Sequence, residues 1–144
     1  MKLMRVGVDL AKSVFHVHGV DRHEQVVWRR KLTRAHWLKV FVETVEPGCE
    51  VGMEACGGAH HWARVLQAHG YRVKLMAPQF VKPYVKSNQN DAHDAEAIGE
   101  AMSRPSMRFV AVKSVARQDV QAVHRVRAEL SKRSFDAQLE AGYT

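Results

Sequence analysis

The chain has 144 residues, 46% hydrophobic and 26% charged, a balance that suits one globular domain with a real core and leaves little room for a second. Its formal net charge of +7 and pI near 9.7 indicate a polyanionic partner, for which nucleic acid is the first candidate. Cys49 and Cys56 match no zinc spacing and cannot build a disulfide framework, so we interpret both as reduced core thiols. No apolar run approaches the roughly 20 residues of a membrane span, and no signal-peptide pattern opens the chain. We therefore expect a soluble, cytoplasmic protein.

The first three predicted elements are strands rich in Val, Phe and Trp, joined by short polar links into an antiparallel meander. A helix capped by Thr33 and ended by Pro47-Gly48 follows, and a second helix closed by Gly70 lies between two further strands. The predicted strands span residues 3–9, 13–20, 24–31, 49–54 and 71–76, and the predicted helices span 34–45 and 59–69.

The C-terminal part is predicted to be helical. A helix over about 91–103 ends before Pro105, and no Gly or Pro interrupts the chain from Ser114 to about Ala141, which favours a long basic helix packed on the core or on a second subunit. We predict a catalytic domain over residues 1–104 and a basic helical extension over 105–144. The element order is typical of an α/β fold of the ribonuclease H-like class, a mixed sheet flanked by helices.

Charge is distributed unevenly along the chain. Residues 104–133 contain eight Lys or Arg and two acids, so this segment holds six of the seven net positive charges, whereas residues 91–100 contain four acids and no Lys or Arg. The basic stretch could be a solvated helix face, but phosphate contact is the better interpretation because so few acids compensate it. The residues predicted to contact nucleic acid are Lys12, Lys86, Arg104, Arg108, Lys113, Arg117, Arg125 and Arg127.

Four carboxylates form a candidate catalytic and metal-binding site. Asp9 and Glu54 each follow a Val-Gly step at the end of an apolar strand, and parallel neighbouring strands would bring both to the edge where open α/β sheets bind ligands. Asp91 and Asp94 are three residues apart and share one helix face, which Glu96 does not. Clustered carboxylates repel one another unless hard cations bind them, so we predict one or two divalent metal ions that act in phosphodiester cleavage.

Simpler interpretations exist for each of these residues. Asp9 could cap a turn, and Asp91 and Asp94 could be a helix cap and a favourable charge in the first helical turn. Two pairs of histidines make a zinc site conceivable, although no thiol or His spacing supports it. The three tryptophans could stack on bases, but their periodic positions favour core packing. These residues are His16, His18, His60 and His61, and Trp28, Trp37 and Trp62.

Four motifs in a fixed order resemble a known family. They are Val6-Gly7-Val8-Asp9-Leu10-Ala11-Lys12, Met53-Glu54-Ala55-Cys56-Gly57-Gly58, Met76 to Tyr84 and Asn90 to Ile98. Together they resemble the N-terminal domain of DEDD insertion-sequence transposases, relatives of the Piv-type invertases, over about residues 3–130. The resemblance implies a RuvC-like ribonuclease H fold, with Asp9, Glu54, Asp91 and Asp94 as the acidic tetrad that binds magnesium. It also implies DNA strand cleavage and exchange, with an element-encoded structured RNA guiding the choice of target.

The chain departs from this family at two places. Gln89 stands where the family usually has Lys, which would alter a phosphate contact near the metals. Family members continue into a second domain with a nucleophilic serine, whereas here the resemblance fades after about Leu130. We therefore expect that this chain does not complete transposition alone, and that it pairs with another copy through its long helix.

Two other functions compete with a transposase catalytic domain. One is a non-catalytic module that binds nucleic acid or dimerises, and the other is a stand-alone resolvase-like nuclease that cuts branched DNA with magnesium. An actin-like sugar kinase is excluded because it needs glycine-rich phosphate loops and a far longer chain.

Overall fold

The computed structural model describes residues 2–86 and 91–116, without the side chains of residues 91–93. The chain divides into two compact units, Met1–Val112 and Lys113–Thr144. The first unit contains all the named helices and strands and both clusters of buried hydrophobic residues. Of the second unit, residues 113–116 are described.

Five strands form one mixed sheet in the order β3-β2-β1-β4-β5. Strands β1, β2 and β3 are the antiparallel meander expected from the sequence, and β4 and β5 run parallel to β1. The strands are β1 (Arg5–Leu10), β2 (Val14–Val20), β3 (Val26–Thr33), β4 (Glu50–Glu54) and β5 (Arg72–Met76).

Helices flank the sheet, as predicted. Helix α1 follows the meander, α2 connects β4 to β5, and a four-residue helix α3 leads through a 3-10 turn towards α4. Gly70, at φ +93°, ends α2 in the left-handed conformation that suits glycine, as the sequence indicated. The helices are α1 (Trp37–Thr44), α2 (Gly57–Ala68), α3 (Pro78–Val81) and α4 (Asp91–Met102), and the 3-10 turn is Lys82–Tyr84.

Side chains alternate between the two faces of the sheet along each strand, so the two faces differ in composition. One face is apolar and packs with α1 and α2 around an aromatic cluster, in which Trp37 lies 5.0 Å from Phe15, 5.5 Å from Phe41 and 5.2 Å from Trp62 between ring centroids. Trp28 is also buried, 5.9 Å from Phe41. The three tryptophans therefore belong to the core, as their spacing predicted.

Helix α4 covers the opposite face of the sheet. Its residues Ile98 and Met102 are buried with Met76 and Val81 in a second, smaller hydrophobic cluster. Residues beyond α4 return to the sheet edge, where the Val110 amide donates to the Leu75 carbonyl at 2.7 Å. The first compact unit thus includes residues 105–112, and its assignment as a catalytic domain stays a prediction.

The structure corrects two local predictions and leaves one outside its range. His36, not Thr33, precedes α1 as its cap residue, and no side chain caps the helix; the Thr33 hydroxyl instead lies 3.1 Å from His36 Nδ1. Cys49 is a buried free thiol as expected, but Cys56 is exposed because it lies where the chain leaves the sheet for α2. The predicted long basic helix after Ser114 lies outside the described residues. None of the described helices is long and apolar enough to cross a membrane.

Candidate functional site

Strand pairing brings Asp9 and Glu54 to the same edge of the sheet. Strands β1 and β4 pair in parallel with Arg5 opposite Glu50 and Gly7 opposite Gly52. Continuing that register by two residues places Asp9 level with Glu54, on the same face as the two glycines. Both acids therefore lie at the carboxyl ends of neighbouring parallel strands, which is the position predicted from the sequence.

The third acid, Asp94, reaches this edge from α4. Glu54 is half-buried, and its pKa is raised above the usual value first by burial and then by the negative charge of Asp94. Glu54 and Asp94 are thus close enough to repel each other although 40 positions separate them in the chain. Asp91 lies in the first turn of α4, and its side chain is outside the described part of the structure.

Two glycines allow α4 to approach this close. A Cβ atom at Gly7 would lie 2.3 Å from the Ala95 carbonyl oxygen and 2.6 Å from the Gly99 amide nitrogen. At Gly52 it would lie 2.6 Å from the sulfur of Met102. Both glycines precede an acid by two residues on the strand, so the space they leave is what seats the helix beside the acids.

A buried arginine attaches the same helix to the sheet. Arg5, 6% exposed, donates from Nε to the Gly99 carbonyl at 3.1 Å and pairs through its terminal nitrogen with Glu24. The guanidinium is thus bound both to α4 and to the turn between β2 and β3. It helps to fix the height of α4 over β1, and with it the position of Asp94.

Glu96 lies on a different face of α4 from Asp94, as the helical spacing predicted. Its carboxylate lies 2.9 Å from Lys86 Nζ and 3.7 Å from His18 Nε2. The hydrogen bond from Lys86 holds the pKa of Glu96 below its usual value, whereas burial lowers the pKa of His18. Glu96 therefore compensates positive charge beside the site and is separate from the Glu54–Asp94 pair.

The residues predicted to contact nucleic acid are placed differently from one another. Lys12 and Arg108 are exposed. Lys86 pairs with Glu96, and Arg104 pairs with Glu100 at 2.7 Å and lies over the Tyr84 ring. Lys113 belongs to the second unit, and Arg117, Arg125 and Arg127 lie outside the described residues.

The donor chemistry fits a divalent cation, although the described side chains do not complete a site. Among them, no three His, Cys, Asp or Glu residues form a group that could hold a metal ion, and this applies to the histidine pairs considered for zinc as well. The Asp91 carboxylate, the fourth predicted ligand, is not among those side chains. Burial and the charge of Asp94 raise the pKa of Glu54, and a bound cation would favour its charged form.

The sequence pattern did not reveal the basic residues that share this face of the sheet with the acids. It places Arg5 inside the first predicted strand, 3–9, and Arg29 and Lys31 in the third predicted strand, 24–31. A charged residue inside a run of Val and Gly was the available signal for Arg5. The alignment of Arg29 and Lys31 with β1 depends on strand register, which the sequence pattern does not specify.

Comparison with known proteins identifies similar chains. A family model described as a transposase, of the IS110-type DEDD group, matches residues 6–139, which extends beyond Leu130. A probable family 20 transposase of Pseudomonas aeruginosa is 62% identical over 130 residues, covering 90% of this chain and 38% of the relative. The transposase for insertion sequence element IS1111A of Coxiella burnetii is 50% identical, over 88% of this chain and 34% of its own length. The transposase for insertion sequence element IS1328 of Yersinia enterocolitica is 46% identical, over 92% and 39%. The chain thus spans a little over a third of the length of these relatives.

Proposed function

Because the chain belongs to the IS110-type DEDD transposase family, we propose that its first unit is a RuvC-like, ribonuclease H-like domain that takes part in metal-dependent DNA strand cleavage and transfer. The mixed sheet flanked by helices is consistent with that fold class. The relatives are named as transposases, two of them for insertion sequence elements, and this chain corresponds to about a third of each.

One observation supports this proposal most strongly. Burial and the nearby charge of Asp94 on α4 raise the pKa of Glu54 on β4, and the continued strand register aligns Asp9 with Glu54. A protein gains nothing in stability from holding carboxylates together, so the arrangement favours a function for them. The glycines under α4 support the same interpretation, because they allow the approach that brings Asp94 in.

In this proposal Asp9, Glu54, Asp91 and Asp94 provide the metal ligands. Carboxylate oxygens are hard donors of the kind that Mg²⁺ prefers, and Mn²⁺ can substitute for it. When bound, the cation supplies positive charge that stabilises the attacking and leaving oxygens of a phosphodiester. The protein positions those ligands: the Arg5 guanidinium binds α4, Gly7 and Gly52 leave space for it on the sheet, and Glu96 pairs with Lys86.

The proposed partners follow from charge and family. DNA is the substrate, an element-encoded guide RNA is a second polyanionic partner, and the C-terminal segment pairs two copies of the chain. Lys12 and Arg108 are exposed and stand outside the ion pairs that Lys86 and Arg104 form with glutamates of α4. Within the described part of the chain, they are the two residues of the predicted set that we expect to contact phosphates first.

Calorimetric titration of Mn²⁺ into the 144-residue protein tests the metal site. We expect binding by the wild type and its loss in Asp94→Asn. The matched control is Glu96→Gln, which removes one negative charge from the same helix two residues away but faces Lys86 and His18, and which should keep Mn²⁺ binding.

Two results would contradict the proposal. The first is a wild type that binds no Mn²⁺ while circular dichroism shows an intact fold. The second is an equal loss of affinity in Asp94→Asn and Glu96→Gln, because that would mean that general negative charge, and not the acids at the sheet edge, attracts the cation.

A further inference from the structure

Positive charge lies beside the acids on the same face of the sheet. Arg29 and Lys31 of β3 are exposed, and with His16 of β2 they line a shallow cavity of about 270 Å³ that Val17 and Arg30 complete. We call Arg29 and Lys31 the β3 ridge. Strand β3 is the edge strand on the meander side, so one flank of the ridge is open to a ligand that extends past the sheet.

Strand register aligns this ridge with the candidate site. Asp9 pairs with His16, and His16 pairs with Lys31, so the three residues form one row across β1, β2 and β3. The adjacent row contains Gly7, His18 and Arg29. Neighbouring strands lie about 4.8 Å apart, so Lys31 is roughly 10 Å from Asp9 along the row.

The ridge charges are not neutralised by the described acids. Of the acids that form ion pairs in the described part of the chain, Glu24 binds Arg5, Glu50 binds Arg72 and Lys74, Glu96 binds Lys86, and Glu100 binds Arg104. None of these pairs includes Arg29, Arg30 or Lys31. Arg29 acts on Glu96 only at a distance, and Lys86 already hydrogen-bonds that carboxylate.

Helix α4 leaves this part of the sheet accessible. It packs mainly on β1, β2 and β4, where the glycines admit it. The ridge on β3 lies beyond those strands, and both its side chains are exposed. A strand of nucleic acid that reaches Asp9 and Glu54 therefore has a positively charged path towards β3 next to the helix.

We propose that Arg29 and Lys31 contact the phosphate backbone of the nucleic acid strand bound at the acids, so that this strand crosses the sheet from β1 to β3. The two residues act as positioning residues and do not touch the reacting atoms. Phosphate contacts fix the register of a nucleic acid on a protein without reading its sequence. The inference rests on the proposed function in taking nucleic acid as the substrate, and it concerns a surface outside the four acids.

The salt dependence of binding tests the ridge. A fluorescently labelled single-stranded DNA of about 20 nucleotides, and an RNA of the same sequence, are titrated with the 144-residue protein in EDTA at several salt concentrations. For single strands, each phosphate contact contributes about 0.7 to the slope of log K against log salt, so Arg29→Gln/Lys31→Gln should lower the slope by about 1.4. The control is Lys2→Gln/Lys39→Gln, which removes the same charge from exposed positions before β1 and on α1.

The outcomes separate the ridge from general attraction. A lower slope in the ridge variant together with an almost unchanged slope in the control supports the proposal. A result with DNA and RNA alike identifies the shared backbone as the ligand, whereas an effect confined to one of them identifies which strand crosses the sheet. An unchanged slope in the ridge variant, or an equal fall in both variants, overturns the proposal.

Failure of the ridge can be told from failure of the metal site. The titrations contain no metal, and the ridge variant should bind Mn²⁺ in calorimetry as the wild type does. If the wild type binds no Mn²⁺ but the ridge variant still lowers the salt slope, the ridge proposal holds and the metal-site proposal fails. If the wild type binds Mn²⁺ but the ridge variant leaves the slope unchanged, the metal-site proposal holds and the ridge proposal fails.

Discussion

Glu54 shows most clearly what a single residue contributes to this protein. It ends β4, is half-buried, and has a pKa raised by burial and by Asp94. Below the unfolded-state pKa of about 4.3 the carboxyl is protonated in both states and has no effect on stability. As the pH rises through the higher folded-state pKa, the folded protein must hold a charge that the unfolded chain holds more easily, and stability falls.

We therefore expect Glu54→Gln to stabilise the metal-free protein at pH 7. The gain should be at most about 1 kcal/mol, because Glu54 is partly exposed and solvent screens its interaction with Asp94, and it should vanish near pH 4. Urea unfolding in EDTA from pH 4 to pH 8 measures it, with Glu43→Gln at an exposed position of α1 as the control. A variant that is less stable than the wild type at pH 7 would show that Glu54 is held by favourable contacts and is not strained.

At the scale of the element, the distance at which α4 packs on the sheet decides whether Asp94 comes close to Glu54. The helix lies over Gly7 and Gly52, and the Arg5 guanidinium holds it at the Gly99 carbonyl. The atoms that a Cβ at Gly7 would meet are backbone atoms of the helix, which cannot rotate away as a side chain does. The helix itself would have to shift, and Asp94 with it.

Gly7→Ala should accordingly lower the free energy of unfolding by about 1–3 kcal/mol and weaken Mn²⁺ binding. Gly58→Ala is the matched control, because a Cβ at Gly58 meets nothing within 4 Å and alanine favours the first turns of α2. Chemical denaturation and calorimetry of both variants provide the comparison. Equal stability of Gly7→Ala and Gly58→Ala would show that α4 does not sit as closely on β1 as described.

At the scale of the whole molecule, the hydrophobic core and the positive charge are distributed differently along the chain. Both hydrophobic clusters lie in Met1–Val112, while six Lys or Arg residues lie in 113–144. The first unit holds the core and, with 16 Lys or Arg against 11 acids, a net charge of +5, while the second adds six Lys or Arg against four acids, a net charge of +2.

A protein of residues 1–112 should therefore fold by itself but bind nucleic acid with less salt dependence. We expect one cooperative unfolding transition, and a slope of log K against log salt for single-stranded DNA that falls by about 0.7 for each phosphate that the shorter protein no longer binds. Thermal unfolding followed by circular dichroism and fluorescence titration measure the two properties. An unfolded fragment would contradict the first expectation, and an unchanged slope the second.

Most of the elements of the first unit were predictable because their signals are local. Alternating Val, Phe and Trp indicated β1 to β3, Gly70 indicated the end of α2, and periodic tryptophans indicated the core. Local signals also misled: Thr33 looks like a cap, but the chain turns once more before α1 begins. Cys56 was predicted to be a core thiol, yet it is exposed and precedes the first residue of α2.

The sequence by itself determined the five strands, helices α1, α2 and α4, and the separation of Glu96 from Asp94, because these follow from spacing along one element; it also singled out the four candidate acids. Only the tertiary structure decided the strand order, the depth at which α4 sits, and the alignment of Asp9 with His16 and Lys31. These depend on register and close packing between segments distant in the chain, and a shift of one residue would send a side chain to the other face of the sheet. The strain on Glu54 belongs to the same class, because it exists only when α4 brings Asp94 beside it.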